Sequence, residues 1–190
     1  MRHDVNPRVL FPAEWEQRWR ELVADGQVDQ AVFELVDRHT HVPLDAVQEK
    51  LAGVIKVDGP FVFEVEPNII VWAGMSRDFA AIIQRLLNAP KPRPFEKGFR
   101  LHVRRISADA YAIRQLALPL VTVLRKPRAT PHWYPMILCH SRDVPTQERR
   151  LILREDASLT RFVVRRNPGE LHDVWRGHVP PETVLGGQAT

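Results

Sequence analysis

Proline is the strongest constraint on how this chain can fold. Sixteen prolines are spread over its 190 residues. Each fixes φ, removes a backbone donor and ends or kinks a helix, so they break the chain into short elements and argue against a long helical bundle. The densest group is "NAPKPRP", residues 88–94, where Pro90, Pro92 and Pro94 predict an extended linker. A boundary is expected there, between a part covering residues 1–90 and a part covering residues 91–190.

Charge changes sign at the same place. Residues 1–90 hold nine Lys/Arg against fourteen Asp/Glu, a net of −5, while residues 91–190 hold eighteen against nine, a net of +9. Such asymmetry points to two surfaces with different partners. Arginines outnumber lysines by twenty-two to five. Arginine grips phosphate or carboxylate with a planar fork, which lysine cannot do.

Before the linker the apolar spacing is helical. Trp15, Trp19 and Leu22 share one face of a helix predicted over 12–24, stopped by Asp25-Gly26. Val28, Val32, Leu35 and Val36 mark a second over 27–38. Leu44, Val47 and Leu51 mark a third over 43–52, with Pro43 in its first turn and Gly53 at its end. The pattern then shortens. "VIKV" and "FVFEV" flank Asp58-Gly59-Pro60 and read as a hairpin, and "NIIVW", 68–72, reads as a central strand, apolar on both faces. Ser76 should cap a helix over 77–88, where Phe79, Ile82, Ile83, Leu86 and Leu87 form the clearest helical stripe in the chain.

After the linker the reading is β-rich. In "FRLHVRR" Phe99, Leu101 and Val103 alternate with Arg100, His102 and Arg104. "LPLVTVL" at 118–124 and "YPMILCH" at 134–140 read as buried strands. "RLILR" at 150–154 and "TRFVVRR" at 160–166 read as strands fenced by arginine. The fold class expected is α+β: a helical, acidic N-terminal part with a hairpin, then a basic β-rich part.

The segment 27–72, with the stretch "QAVFELVDRHTHVPLDAVQEKLAGVIKVDGPFVFEV", is read in the order helix, helix, short proline-started helix, hairpin, strand. In that order it resembles a winged-helix domain, a fold that binds DNA or docks proteins. It departs from the family at the helix before the wing, "PLDAVQEKLA", which carries two acids and one lysine where a DNA-reading helix would be basic or amide-rich. With a net charge of −5 around it, the resemblance implies protein docking rather than DNA reading.

The candidate site is therefore in the basic part. Residues 91–128 hold ten Lys/Arg against two acids. Guanidinium groups along a sheet make a track for a phosphate backbone. The residues assigned to it are Arg93, Arg100, Arg104, Arg105, Arg125, Lys126 and Arg128, with Arg161 and Arg165 added by the last strand. His132, Trp133 and Tyr134 follow the basic loop and would stack on bases, or else anchor the core.

Other chemistry is weakly signalled. His39-Thr40-His41 and Cys139-His140 contain metal-ligand types without zinc spacing, so no metal or cofactor is expected. "CHSRD", 139–143, places a nucleophile, a base and an acid together in sequence, but neighbours on a strand point to opposite faces. A single cysteine excludes an internal disulfide and fits a reducing cytoplasm. No run of eighteen apolar residues predicts a membrane span, and the N-terminus lacks the apolar core of a signal peptide. The function expected is non-enzymatic association with DNA or RNA, the acidic part docking a protein or a second copy. The alternatives are an accessory subunit with an acidic protein partner, and a small hydrolase or transferase built around His132, His140 or Cys139.

Overall fold

Tryptophans spaced four apart begin the described chain. In the computed structural model, which describes residues 13–39, 41–89, 100–111, 113–124, 127–140, 150–161 and 163–166, α1 (Ala13–Ala24) turns Trp15, Trp19 and Leu22 into the core. Gly26, at φ 72°, makes the left-handed turn into α2 (Val28–His39). The short strand β1 (His41–Pro43) leads straight into α3 (Leu44–Leu51), with Pro43 at the N-cap. Ser76 caps α4 (Arg77–Asn88) by accepting from the Phe79 N–H at 3.0 Å. All four helices fall where periodicity and caps place them, and with the mixed sheets below they make the class α+β.

The hairpin is displaced from its expected turn. β2 (Asp58–Glu66) and β3 (Ile69–Met75) pair antiparallel, and Asp58-Gly59-Pro60 opens the first strand instead of joining two. The turn is Pro67-Asn68, with Asn68 at φ 62°, the residue pattern of a type II turn. Gly59 has another reason to be there. A Cβ on it would lie 2.8 Å from the Met75 carbonyl oxygen and from Ser76 Cα, both backbone atoms.

Eight further elements follow among the described residues: β4 (Leu101–Arg105), a 3-10 turn (Ala108–Ala110), β5 (Arg114–Leu116), β6 (His132–Trp133), β7 (Met136–His140), β8 (Ile152–Glu155), α5 (Ala157–Thr160) and β9 (Val163–Arg166). They complete three sheets of strand order β1-β7-β4, β6-β3-β2-β8 and β5-β9. β3 is central, as its two-faced apolar sequence requires, between antiparallel β2 and parallel β6. β1 pairs with β7 and β2 with β8, so strands from either side of residue 90 share both larger sheets and one hydrophobic core. β1 joins β7 and not the hairpin, so the stretch resembling a winged helix contributes its strands to two different sheets.

Two expected strands change. Residues 118–124 form no ladder. Pro119 has no N–H, the segment bonds to β6 only through Trp133 N to Pro119 O (2.8 Å) and Val121 N to Trp133 O (2.9 Å), and Leu120 and Val123 are 55% and 49% exposed. In 160–166, Thr160 ends α5 and Arg161 is its C-cap, leaving only 163–166 as strand.

Under the central sheet Trp72 stacks on Tyr111 at 5.2 Å, and Tyr111 meets Trp133 edge-on at 5.0 Å. Each ring places its polar atom: Trp72 Nε1 donates to Gln48 Oε1 (2.7 Å), Trp133 Nε1 to the Val71 carbonyl (3.2 Å), and the Tyr111 hydroxyl to the Met136 carbonyl. Asp45 of α3 is buried beside them. Its Oδ2 accepts from the N–H groups of Ile113 and Arg114 at 2.9 and 3.0 Å, and its Oδ1 from Ala46 at 2.8 Å. Burial pushes its carboxyl up to about 6 against the pull of those backbone donors.

Candidate nucleic-acid interface

The alternation read in "FRLHVRR" holds over residues 101–104. Leu101 and Val103 are buried, His102 is half-buried, and Arg104 and Arg105 are exposed. Among the described residues β4 is an edge strand bonded only to β7, so one side of its backbone is unpaired, and Arg104 and Arg105, as strand neighbours, point to opposite faces. Arg104 opposes Ile137 and extends over β7, placing Nη1 3.3 Å from His41 Nε2 on β1. Arg105, opposite Met136, has no carboxylate partner among the described residues. Arg100 is half-buried just before the strand. Arg128 is exposed, and its main chain is tied to the β2–β3 turn, where Asn68 Nδ2 donates to its carbonyl at 2.8 Å. Arg93, Arg125 and Lys126 lie outside the described residues.

Not every arginine of the basic part is available. Arg114, one of the ten cations counted over 91–128, is only 4% exposed. Its Nη1 donates to Asp58 Oδ1 at 3.1 Å and its Nη2 lies 3.5 Å from Glu49 Oε2. Arg154 of β8 is likewise held, by Glu64 Oε1 at 2.9 Å and by Asp156. The Glu64 hydrogen bond is the chief reason its guanidinium holds its proton more firmly than usual. Both arginines connect the basic part to acids at or before residue 66. The sequence does not distinguish them from exposed neighbours, because what answers them is far away along the chain.

The arginine strands do not form one sheet. β4, β8 and β9 belong to three different sheets. Arg161 is exposed at the end of α5, and Arg165 pairs through its backbone with Gln115 of β5. The track therefore reduces, among the described residues, to the β4 edge and the loop at Arg128.

The expected stacking platform is corrected for two of its three residues. Trp133 and Tyr134 are 2% and 5% exposed, so neither ring offers a face to a base. Both are core anchors. His132 remains half-exposed, its Nδ1 donating to the Thr130 carbonyl at 2.7 Å.

The helix before the wing has no free reading face. Leu44, Asp45, Val47, Gln48 and Leu51 are buried, Glu49 faces Arg114, and Lys50 holds Glu16 while lying over the rings of Trp15 and Trp19 at 5.8 and 5.4 Å.

The histidine and cysteine pairs do come together. β1–β7 register sets His41 opposite Cys139, and β7–β4 register sets His102 on its other side. Cys139 is fully buried, with its thiol directed at the His102 carbonyl at 3.6 Å. No group of three or more His, Cys, Asp or Glu among the described residues is arranged to hold a metal ion. His140 packs edge-on against Phe33 and lies 3.8 Å from Asp37 Oδ1. Ser141 and Asp143 lie outside the described residues. No helix among the described residues is long and apolar enough to cross a membrane.

Comparison of the chain with protein-family models, curated proteins and solved structures finds no match.

Proposed function

We propose that the chain associates with nucleic acid by phosphate contacts from the β4 edge and the loop at Arg128, without an enzymatic step of its own. One observation carries this reading. Arg105 and Arg128 are exposed without a carboxylate partner among the described residues, while Arg114 and Arg154 of the same basic part are held by acids. Guanidiniums left to solvent on an unpaired strand edge and on a loop suit a backbone of repeated negative charge. Arg100 and Arg104 are assigned the same role, as are Arg93, Arg125 and Lys126, which lie outside the described residues. Recognition by such contacts is independent of sequence, because phosphates carry no base information.

The test is fluorescence anisotropy with labelled single-stranded DNA, duplex DNA and RNA across a salt series. Binding should weaken linearly in log K against log salt. Absence of binding to all three at low salt contradicts the proposal.

A second reading, an accessory subunit docking a protein partner, draws on Leu120 and Val123. These large apolar side chains are exposed three residues apart beside the basic loop. An interface centred on them should depend weakly on salt.

A further inference from the structure

β8 (Ile152–Glu155) ends the sheet of order β6-β3-β2-β8, and β2 is its one bonded neighbour among the described residues. Asp156 donates its N–H to the Pro60 carbonyl at 2.7 Å, in register with the pairs Val62–Arg154 and Glu64–Ile152. Hydrogen-bonded and non-bonded pairs alternate along an antiparallel ladder, so Ile152 and Arg154 turn their N–H and C=O toward β2. Leu153 and Glu155 turn theirs outward, as does Leu151 just before the strand. Those outward groups face no strand among the described residues.

Edge strands are normally guarded by charge, proline or a bulge. β8 instead shows Ile152, which is 51% exposed. Arg150 precedes it and Glu155 follows it. Both are exposed, and neither makes a side-chain hydrogen bond or ion pair among the described residues. Arg154, between them, is already held by Glu64 and Asp156. The free edge is thus basic at its start, apolar in its middle and acidic at its end.

Run antiparallel, that pattern is its own complement. A two-fold axis perpendicular to the sheet keeps like faces together, so a residue opposes only one from its own face. With Leu153 opposite Leu153 of a second copy, the outward groups of Leu151, Leu153 and Glu155 all find partners. Arg150 then opposes Asp156 of the second copy. Ile152 opposes the second copy's Arg154 in a non-bonded pair, where side chains approach most closely and the arginine stem can cover it. The neighbouring registers are worse. One sets Arg150 opposite Arg154 and the other sets Arg154 opposite itself, and like charges directly opposite are destabilising.

We propose that two copies of this chain associate through β8, antiparallel about a two-fold axis at Leu153, joining their four-stranded sheets into one. The contact uses none of the residues assigned to phosphate, so it stands apart from that reading. A strand pair this short falls below the roughly 1,200 Å² buried in stable complexes, so association should depend on concentration.

The experiment is sedimentation velocity of the full chain from about 1 to about 500 μM, with amide hydrogen exchange at both ends of the range. The mass should rise from monomer to dimer. The Leu153 and Glu155 amides should slow only where the dimer forms, while those of Ile152 and Arg154, bonded to β2, are slow throughout. Ile152→Lys sets a lysine against Arg154 of the second copy, and Arg150→Glu sets an acid against its Asp156. Each change acts twice in a symmetric dimer and should raise Kd by at least about tenfold. Both positions are exposed, so melting of the monomer should be unchanged. Leu120→Lys, on the other exposed apolar segment, should leave association intact. A monomer at every concentration overturns the proposal. So does a dimer that forms without slowing the Leu153 and Glu155 amides, or one that Ile152→Lys and Arg150→Glu both leave intact. Dissociation by Leu120→Lys alone moves the contact to residues 118–124 and overturns it too.

Discussion

Before residue 90, Arg18, Lys50 and Arg85 hold Glu34, Glu16 and Asp29, whereas Arg20, Arg38, Lys56 and Arg77 are exposed and hold no carboxylate among the described residues. After it, cations divide as well. Arg114 and Arg154 reach back to acids of the first part, while Arg105, Arg128 and Arg150 hold none among the described residues. The acidic and basic parts are thus partly each other's counterions. The net of +9 in the second part includes cations that acids hold; among the described residues, Arg105, Arg128, Arg150 and Arg161 are exposed without a carboxylate. Arginine serves in one set as a tie between sheets and in the other as an unanswered cation. The two sets should fail differently when cut.

The largest loss of stability is expected from Arg114→Ala. It removes a buried stem together with its ion pairs to Asp58 and Glu49, and should cost about 3 kcal/mol in urea unfolding. A loss below about 1 kcal/mol would break the claim that Arg114 ties the parts together.

Next is Asp45, which holds the backbone carrying Arg114. The unfolded chain releases this proton near its ordinary 3.8 and the folded chain near about 6. The folded state binds the extra proton between those values, so stability should fall as pH rises through that window and level off above it. The full span is about 3 kcal/mol. Asp45→Asn, which keeps an acceptor for the Ile113 and Arg114 N–H groups, should flatten the slope in unfolding measured at several pH values.

Arg154→Ala should cost about 1 kcal/mol, because its guanidinium is 36% exposed and water screens the pair with Glu64. Arg105→Ala and Arg128→Ala should each leave stability within about 0.5 kcal/mol of the parent by thermal melting, since nothing among the described residues depends on either guanidinium. A larger loss at either would move it into the structural set.

Local features were legible in the sequence. The tryptophan spacing of α1, the Ser76 cap of α4 and the alternation of Leu101 and Val103 come from interactions within a turn or a strand. Long-range partners were not. Nothing near residues 114–116 announces β5, whose partner is β9 nearly fifty residues on. The apolar run at 118–124 has strand composition, but Pro119 and the single bridge at Leu120 keep it out of a ladder. Asp58-Gly59-Pro60 reads as a turn because glycine and proline usually make one. Here glycine answers the close backbone of Met75 and Ser76. The arginine cluster was legible as charge, whereas the burial of Arg114 comes from packing between distant segments. Trp133 and Tyr134 follow a basic loop in sequence and enter the core in space.

The most direct measurement is the salt slope of single-stranded oligonucleotide binding for the parent, for Arg105→Ala/Arg128→Ala, and for Arg85→Ala as a paired surface control. The account predicts weaker binding by the double variant. Its slope should be shallower by about one for each phosphate it no longer neutralises, with Arg85→Ala unchanged. Equal slopes in all three proteins, or the same weakening in the Arg85 control, would contradict it.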